Sequence, residues 1–261
     1  MGNGIRGEAM ATIRRVLAAD YACDEADLLS DWITIVPHEQ REGSRGFQVS
    51  TRPLQFVTTG NGVVIACHPD HLAWAKDQTC GMSRDDVFSA SMIGNLAARI
   101  DPGRQQLHGP YLRYAASCER FRPVSGTCDA KIDMIADEQV WALENHPDFP
   151  HALSPSPGRK GSQFVAAVAS ERSRMIGVAA ACEETAGLWQ IGVDVIPEAQ
   201  GSGIGRQVVG MVAQAILDAG GVPYYTAAAS NISSRSTAIG LGFWPAWTDL
   251  YVTDLIRSAP E

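Results

Sequence analysis

Apolar positions in residues 7–20 (Met10, Ile13, Val16 and Leu17) recur at helical spacing, and the pattern then changes to the strand-forming run Trp32, Ile33, Thr34, Ile35 and Val36 within Asp31–Pro37. A helix followed by a strand is therefore predicted. Leu54–Thr58 and Gly62–Cys67 flank the turn signal Gly60-Asn61-Gly62 and read as a hairpin. Pro69 opens a short helix to about Gln78, and Ser83 with Asp85 and Asp86 caps a longer one running through Ile100 to the stop at Asp101-Pro102. Leu107–Ala115 reads as a strand. Phe121–Thr127, with Pro123 and Gly126, reads as a connector, which puts a domain boundary between 125 and 126.

Beyond that boundary the pattern predicts a strand at Lys131–Ile135, a helix at Asp137–Glu144 and a loop over the proline-containing stretch His146–Gly161. Phe164–Ala169 and Met175–Cys182 flank polar Ser170–Arg174 as a second hairpin, and Leu188–Ile196 is a third strand in succession. Ile204, Val208, Val212, Ala215 and Ile216 then form one stripe of a helix over Ile204–Asp218, closed by Gly220-Gly221. A strand at Val222–Ala227, a helix at Asn231–Leu241 stopped by Gly242, and a strand at Trp247–Val252 complete the order. Such a sequence of elements specifies an α/β fold of the α+β type, a mixed sheet with flanking helices, preceded by a smaller α/β domain.

Composition narrows the function classes. With 261 residues, 45% hydrophobic and 19% charged, the chain can bury one large or two moderate cores and is neither disordered nor a charged solenoid. The 21 basic and 29 acidic side chains give a formal charge of −8, a field that repels polyanions, so nucleic acid is not an expected partner. No apolar run is long enough to span a membrane, the first residues lack the apolar core of a secretion signal, and Arg6 breaks the myristoylation pattern begun by Gly2. A soluble, cytoplasmic protein is expected. Cys23, Cys67, Cys80, Cys118, Cys128 and Cys182 form no metal-type spacing and no dense framework, so reduced thiols are expected, with Cys67 and Cys182 acting as small hydrophobes at strand ends.

The chemistry concentrates at Gln200-Gly201-Ser202-Gly203-Ile204-Gly205-Arg206, between a strand and an amphipathic helix. Glycines let the backbone approach a ligand, and the first N–H groups of a helix lack internal acceptors, so this turn suits a phosphate or pyrophosphate. A dinucleotide fingerprint starting at Gly201 would need Gly where Arg206 stands, and no GK[ST] is present for a P-loop. A glycine-rich turn that binds nothing is the remaining reading of this segment by itself.

The longer run from Val195 to Gly205, with Pro197 ahead of Gln200-Gly201-Ser202-Gly203-Ile204-Gly205, resembles the [QR]xxGx[GA] coenzyme A loop of the GNAT N-acetyltransferase superfamily. Asn231-Ile232-Ser233-Ser234 and Gly242-Phe243 resemble its second signature, an Asn opening a helix and a Gly-Phe closing it. The resemblance covers about residues 128–255, so 126–261 is expected to be a GNAT acetyl-CoA-binding catalytic domain; 1–125 is an α/β domain of unassigned role, either a diverged second copy or an unrelated cap. It implies acetyl-CoA as co-substrate, no metal, and direct attack by a primary amine of a small molecule or peptide on the thioester. Main-chain groups of Val193 and Val195 would bond the pantetheine arm, backbone N–H groups across Gly201, Ser202, Gly203, Ile204, Gly205 and Arg206, after Gln200, would hold the pyrophosphate, and Asn231 and Ser234 would line the pantetheine from the other side.

The usual thiolate-facing tyrosine of that family falls seven residues after the Asn, where this chain has Ala238. Ser234, Ser236, Tyr224, Tyr225 or water are the substitutes considered. Asp194, the carboxylate inside the cofactor strand, is assigned as the base, with Glu183 and Glu184 at the preceding turn; a carboxylate bonded to neighbouring backbone or to an Arg is the alternative for Asp194. His146 and His151 are read as surface-loop residues, the His68/His71 pair as a helix-start surface pair without metal, and Trp189, Trp244 and Trp247 as core and sheet-edge packing. An acyl-CoA-binding sensor or interaction module without turnover is the second functional reading, motivated by Ala238.

Overall fold

The computed structural model describes residues 4–45, 52–124, 130–153 and 163–255. In chain order its elements are α1 (Gly4–Asp20), β1 (Ile33–Pro37), β2 (Leu54–Thr58), β3 (Val63–Cys67), α2 (Pro69–Thr79), α3 (Arg84–Val87), α4 (Ala90–Arg99), β4 (Gln105–Ala115), β5 (Lys131–Ala136) and α5 (Glu138–Trp141). They continue with β6 (Phe164–Glu171), β7 (Arg174–Thr185), β8 (Leu188–Val195), α6 (Ile204–Asp218), β9 (Val222–Ala228), α7 (Ile232–Gly240) and β10 (Trp244–Asp254). Two compact units divide the chain, one made of Met1–Thr12 and Tyr114–Pro245, the other of Ile13–Arg113 and Ala246–Glu261. The expected boundary at 125/126, Cys128 and the later part of the His146–Gly161 loop lie outside the described residues.

In the unit of Ile13–Arg113 and Ala246–Glu261 the strand order is β1-β3-β2-β10-β4. β1 runs parallel to β3, β2 antiparallel to β3, and β10 antiparallel to β2, with Leu250 opposite Phe56. β2 and β3 are buried along their whole length, β3 as an unbroken apolar run and β2 with Gln55 and Thr58 buried among its apolar residues. Leu54, Phe56, Ile65, Met92, Leu96 and Leu250 form the centre of this core, each contributing about 1.5–3 kcal/mol by leaving water. The predicted helix from Ser83 to Ile100 is two helices instead. Ser83 closes a capping box with Asp86 on α3, and Ser89, extended at φ −75° and ψ 159°, accepts the Met92 N–H and starts α4 anew. A serine that can cap competes with continuation of the helix, and here it wins.

The unit of Met1–Thr12 and Tyr114–Pro245 orders its strands β5-β6-β7-β8-β9, antiparallel through β8 and parallel between β8 and β9. Helix α6 packs on this sheet through Ile204, Val208, Val212 and Ile216, all buried, as the helical stripe predicted. Gly177 of β7 makes the approach possible, since a Cβ there would lie 2.6 Å from Ile204 Cγ2. The helix ends where Gly220 (φ 78°) turns and the Gly221 N–H donates to the Ile216 carbonyl at 2.9 Å. Helix α5 is shorter than the predicted Asp137–Glu144: Leu143 and Glu144 donate to carbonyls only three residues back, and Asn145 sits at φ 64°. Those tight turns carry the chain to buried Phe149 and across the sheet.

Candidate functional site

β8 and β9 are paired in parallel from Leu188 opposite Val222 to Ile191 opposite Tyr225, and the recorded pairing ends there. Gly192–Val195 of β8 and Thr226–Ala228 of β9 continue beyond it. Val193 and Val195 lie in that stretch and are half-buried. On its other edge β8 remains paired to β7, with Val193 opposite Ala179 and Val195 opposite Gly177.

From the end of β8 the chain passes Pro197 and reaches the glycine turn. Gln200 Nε2 donates to the Val195 carbonyl at 3.2 Å and the Ser202 hydroxyl to the Ala199 carbonyl at 2.6 Å, so polar side chains fold the turn back on its own backbone. Gly201 (φ 79°) and Gly203 (φ 87°, the N-cap of α6) adopt left-handed conformations. A Cβ at either would meet nothing within 4 Å, and no side chain caps α6. The turn therefore presents bare backbone and the positive end of a helix dipole to open space. Gly205 packs its Cα side against Val195, Ile204 is buried beneath the turn, and Arg206 Nη2 donates to the Gly240 carbonyl at 2.9 Å, tying α6 to α7.

Asn231 is the N-cap of α7, its Oδ1 accepting the Ser234 N–H at 3.0 Å. The Ser234 side chain also interacts with the Tyr225 hydroxyl. Burial holds the Tyr225 hydroxyl above its ordinary value, the Ser234 interaction works against that rise, and the Asp194 charge adds to it. Tyr225, the last paired residue of β9, is thus within electrostatic reach of both Ser234 and Asp194. Tyr224 points elsewhere, its hydroxyl on Glu184 Oε2 and Gln190 Oε1, while Ser236 is exposed and Ala238 is buried.

Asp194 is engaged at both oxygens. Oδ2 accepts the N–H groups of His151 and Ala152, and Oδ1 meets His151 Nδ1, each at 2.7 Å. Of the two interpretations open from sequence, backbone acceptance is the one the geometry displays, with a histidine added. In sequence His151 reads as a loop residue, and a spacing of 43 positions gives no signal for the pairing. Glu183 accepts the Gly187 N–H at 2.7 Å and Glu184 bonds Tyr224, so both shape the β7–β8 turn. His68 caps α2, and the His146 and Phe149 rings meet tilted at 44° with centroids 4.9 Å apart. Among the described residues no group of three or more His, Cys, Asp and Glu converges as a metal site, and no helix is long and apolar enough to cross a membrane.

No protein-family model matches this sequence, and no curated protein matches it. Many of the solved structures similar to the chain are GNAT-family acetyltransferases. A GCN5-related N-acetyltransferase from Kribbella flavida is 14% identical over 94% of this chain and 95% of its own, with a TM-score of 0.48. A GNAT-family protein from Novosphingobium aromaticivorans is 21% identical over 60% of this chain and 69% of its own, at 0.43. A Salmonella typhimurium protein solved with its cofactor acetyl-CoA is 18% identical over 51% of this chain and 99% of its own, at 0.34. These are likenesses at low identity; what the site can do follows from its own residues.

Proposed function

We propose that the chain is an acetyl-CoA-dependent N-acetyltransferase acting on a primary amine. The observation that carries this reading is the coincidence, at one end of β8, of two features: pairing with β9 stops at Ile191, and the strand then leads into an uncapped helix through two left-handed glycines facing open space. That arrangement supplies unpaired strand backbone for an amide-bearing arm and bare N–H groups for a pyrophosphate, which is the pair of chemistries a coenzyme A thioester requires. Val193 and Val195 would hold the arm, Gly201–Arg206 the pyrophosphate, and Asn231 and Ser234 the opposite side. Acetyl-CoA supplies an acetyl thioester that a neutral amine attacks directly, forming the C–N bond and breaking the C–S bond to release CoA thiolate.

The chain's own residues manage protons. Tyr225 keeps its hydroxyl hydrogen at neutral pH as any phenol does, burial raises its pKa further, and it is the last residue of β9 paired with β8. It therefore takes the donor role that Ala238 lacks, giving a proton to the leaving thiolate. The reading is tested by calorimetric titration with acetyl-CoA together with release of CoA thiol in the presence of spermidine, lysine and a peptide with a free N-terminus. Binding with release supports it. Binding without release from any amine favours the silent sensor suggested by Ala238, and absence of binding by folded protein refutes both.

A further inference from the structure

We propose that His151 is the proton acceptor of this transfer and Asp194 its positioning residue; the inference rests on the acetyltransferase reading and names the group it leaves unassigned. The carboxylate of Asp194 is a poor candidate for the acceptor itself, because one oxygen receives two backbone N–H groups and the other the imidazole, all at 2.7 Å. A carboxylate only accepts, so Nδ1 of His151 carries the hydrogen and Nε2 of the neutral ring presents its lone pair. The Asp194 side chain is 13% exposed and the His151 side chain 80%, so the anchor is sheltered while the ring stays reachable.

The position of the ring is fixed by the turn beneath it. Gly192 is the first residue of β8 beyond the last pair with β9, and a Cβ there would collide with the His151 carbonyl oxygen and approach Ala152 Cα to 3.2 Å. The His151–Ala152 backbone thus lies directly on the strand at the point where pairing stops. Gly192 and Asp194 share a face of β8, and the turn is locked to both. The titratable group that meets the ring is Asp194 of β8, whose charge is also felt by the Tyr225 hydroxyl of β9; the chain just before the ring carries His146 and Asp148, the Asp148 N–H donating to His146 Nδ1. His151 bonds Asp194 directly and Tyr225 senses its charge; the first takes a proton and the second gives one.

In the step itself, Nε2 takes one proton from the ammonium of the acceptor, leaving a neutral amine whose lone pair forms the C–N bond; as the C–S bond breaks, that nitrogen sheds its second proton, which replaces the one Tyr225 gives to the CoA thiolate. The imidazolium so formed faces the Asp194 carboxylate and returns its proton to water after CoA has left. Cofactor binding requires no part of this.

The test compares wild type with His151→Gln and Asp194→Asn. Acetyl-CoA affinity by calorimetry should be unchanged in His151→Gln. Its kcat with the best of spermidine, lysine and the free peptide should fall about 10²–10⁴-fold, and the acid limb of the wild-type kcat profile should be replaced by a rise toward alkaline pH as the amine sheds its own proton. Asp194→Asn can keep the turn's N–H acceptor but offers its amide to Nδ1, which moves the ring hydrogen to Nε2; kcat should fall while acetyl-CoA affinity remains. Independently of turnover, diethylpyrocarbonate should modify His151 in the free protein, and acetyl-CoA should protect it, as read by peptide mass. An unchanged pH profile in His151→Gln, or no protection by bound acetyl-CoA, overturns the His151 assignment alone. Failure of wild type to bind acetyl-CoA overturns the acetyltransferase reading and this inference with it.

Discussion

Gly203 offers the sharpest perturbation of the cofactor loop, because the structure separates what each substitution changes. The residue is the N-cap of α6 at φ 87° and ψ −4°, and a Cβ would meet nothing within 4 Å. Any L-residue therefore fits but is strained, by roughly 1–2 kcal/mol for alanine and less for Asn or Asp, whose short polar side chains tolerate this conformation. Gly203→Asn and Gly203→Asp have nearly equal bulk and nearly equal strain, so the difference between them isolates charge. A carboxylate about 4–6 Å from one pyrophosphate charge is repelled by about 3–4 kcal/mol at an effective dielectric of about 20, and exposure to salt brings this to roughly half. Acetyl-CoA should thus bind Gly203→Asp about 10–30-fold more weakly than Gly203→Asn at low salt, and the gap should narrow as ionic strength rises. Calorimetry at two salt concentrations, with circular dichroism to verify folding, measures it. Equal affinities for the two folded variants at low salt would refute the placement of the pyrophosphate on this turn.

Burial lowers the pKa of His38, and likewise of His71 and His108, so the folded protein resists protonating them. Below about pH 6.5 the unfolded chain binds more protons than the folded one, and stability present above that pH should be lost as pH falls through the depressed values. Thermal melts from pH 8 to 5 should show a shallower acid decline for His38→Gln than for wild type; parallel curves would contradict the assignment. Asp249 accepts from Arg113 at 2.9 and 3.1 Å and from Trp247 at 3.3 Å with its side chain fully buried, so Asp249→Ala should cost about 3–5 kcal/mol by stripping this carboxylate from a buried guanidinium. At about 2–4 °C per kcal/mol for a chain of this length the melting temperature should drop by roughly 6–20 °C, and a loss below about 1 kcal/mol would sink the argument. Burial pushes the Cys23 thiol up to about 12 and the Cys67 thiol up to about 11, whereas Cys80 and Cys118 are exposed. Maleimide at neutral pH should label Cys80 and Cys118 long before Cys23 and Cys67, as peptide mapping would report; early labelling of Cys67 would contradict its burial.

Elements set by local patterning were legible in the chain. The stripe of α6, the hairpins β2–β3 and β6–β7 and the glycine turn after β8 each depend on neighbours within a few residues, and each lies where the pattern put it. Two helix lengths were not, for reasons equally local: Ser89 restarts a helix that its neighbours could have continued, and Asn145 turns left-handed where a longer α5 was expected. The candidate site divided along the same line. Gly201, Gly203 and Asn231 announce themselves by conformational chemistry, since turn glycines and a helix-capping Asn carry their signal in residue type. The pairing of Asp194 with His151 carries no such mark, because it arises where a turn lands on a strand across 43 residues, and the only trace of that landing is Gly192, one glycine inside a strand.

Strand β10 sits between β2 and β4, yet almost two hundred residues separate its Val252 from Leu54, its partner on β2. A ribosome delivers the chain from its N-terminus, so the stretch from Tyr114 to Pro245 emerges while the unit begun at Ile13 still lacks this strand. Throughout that interval β2, which the finished fold buries on both faces, lacks its partner on the edge that β10 later covers. The nascent chain is therefore open to misassociation at that edge until β10 emerges, and the unit of Ile13–Arg113 and Ala246–Glu261 closes only then.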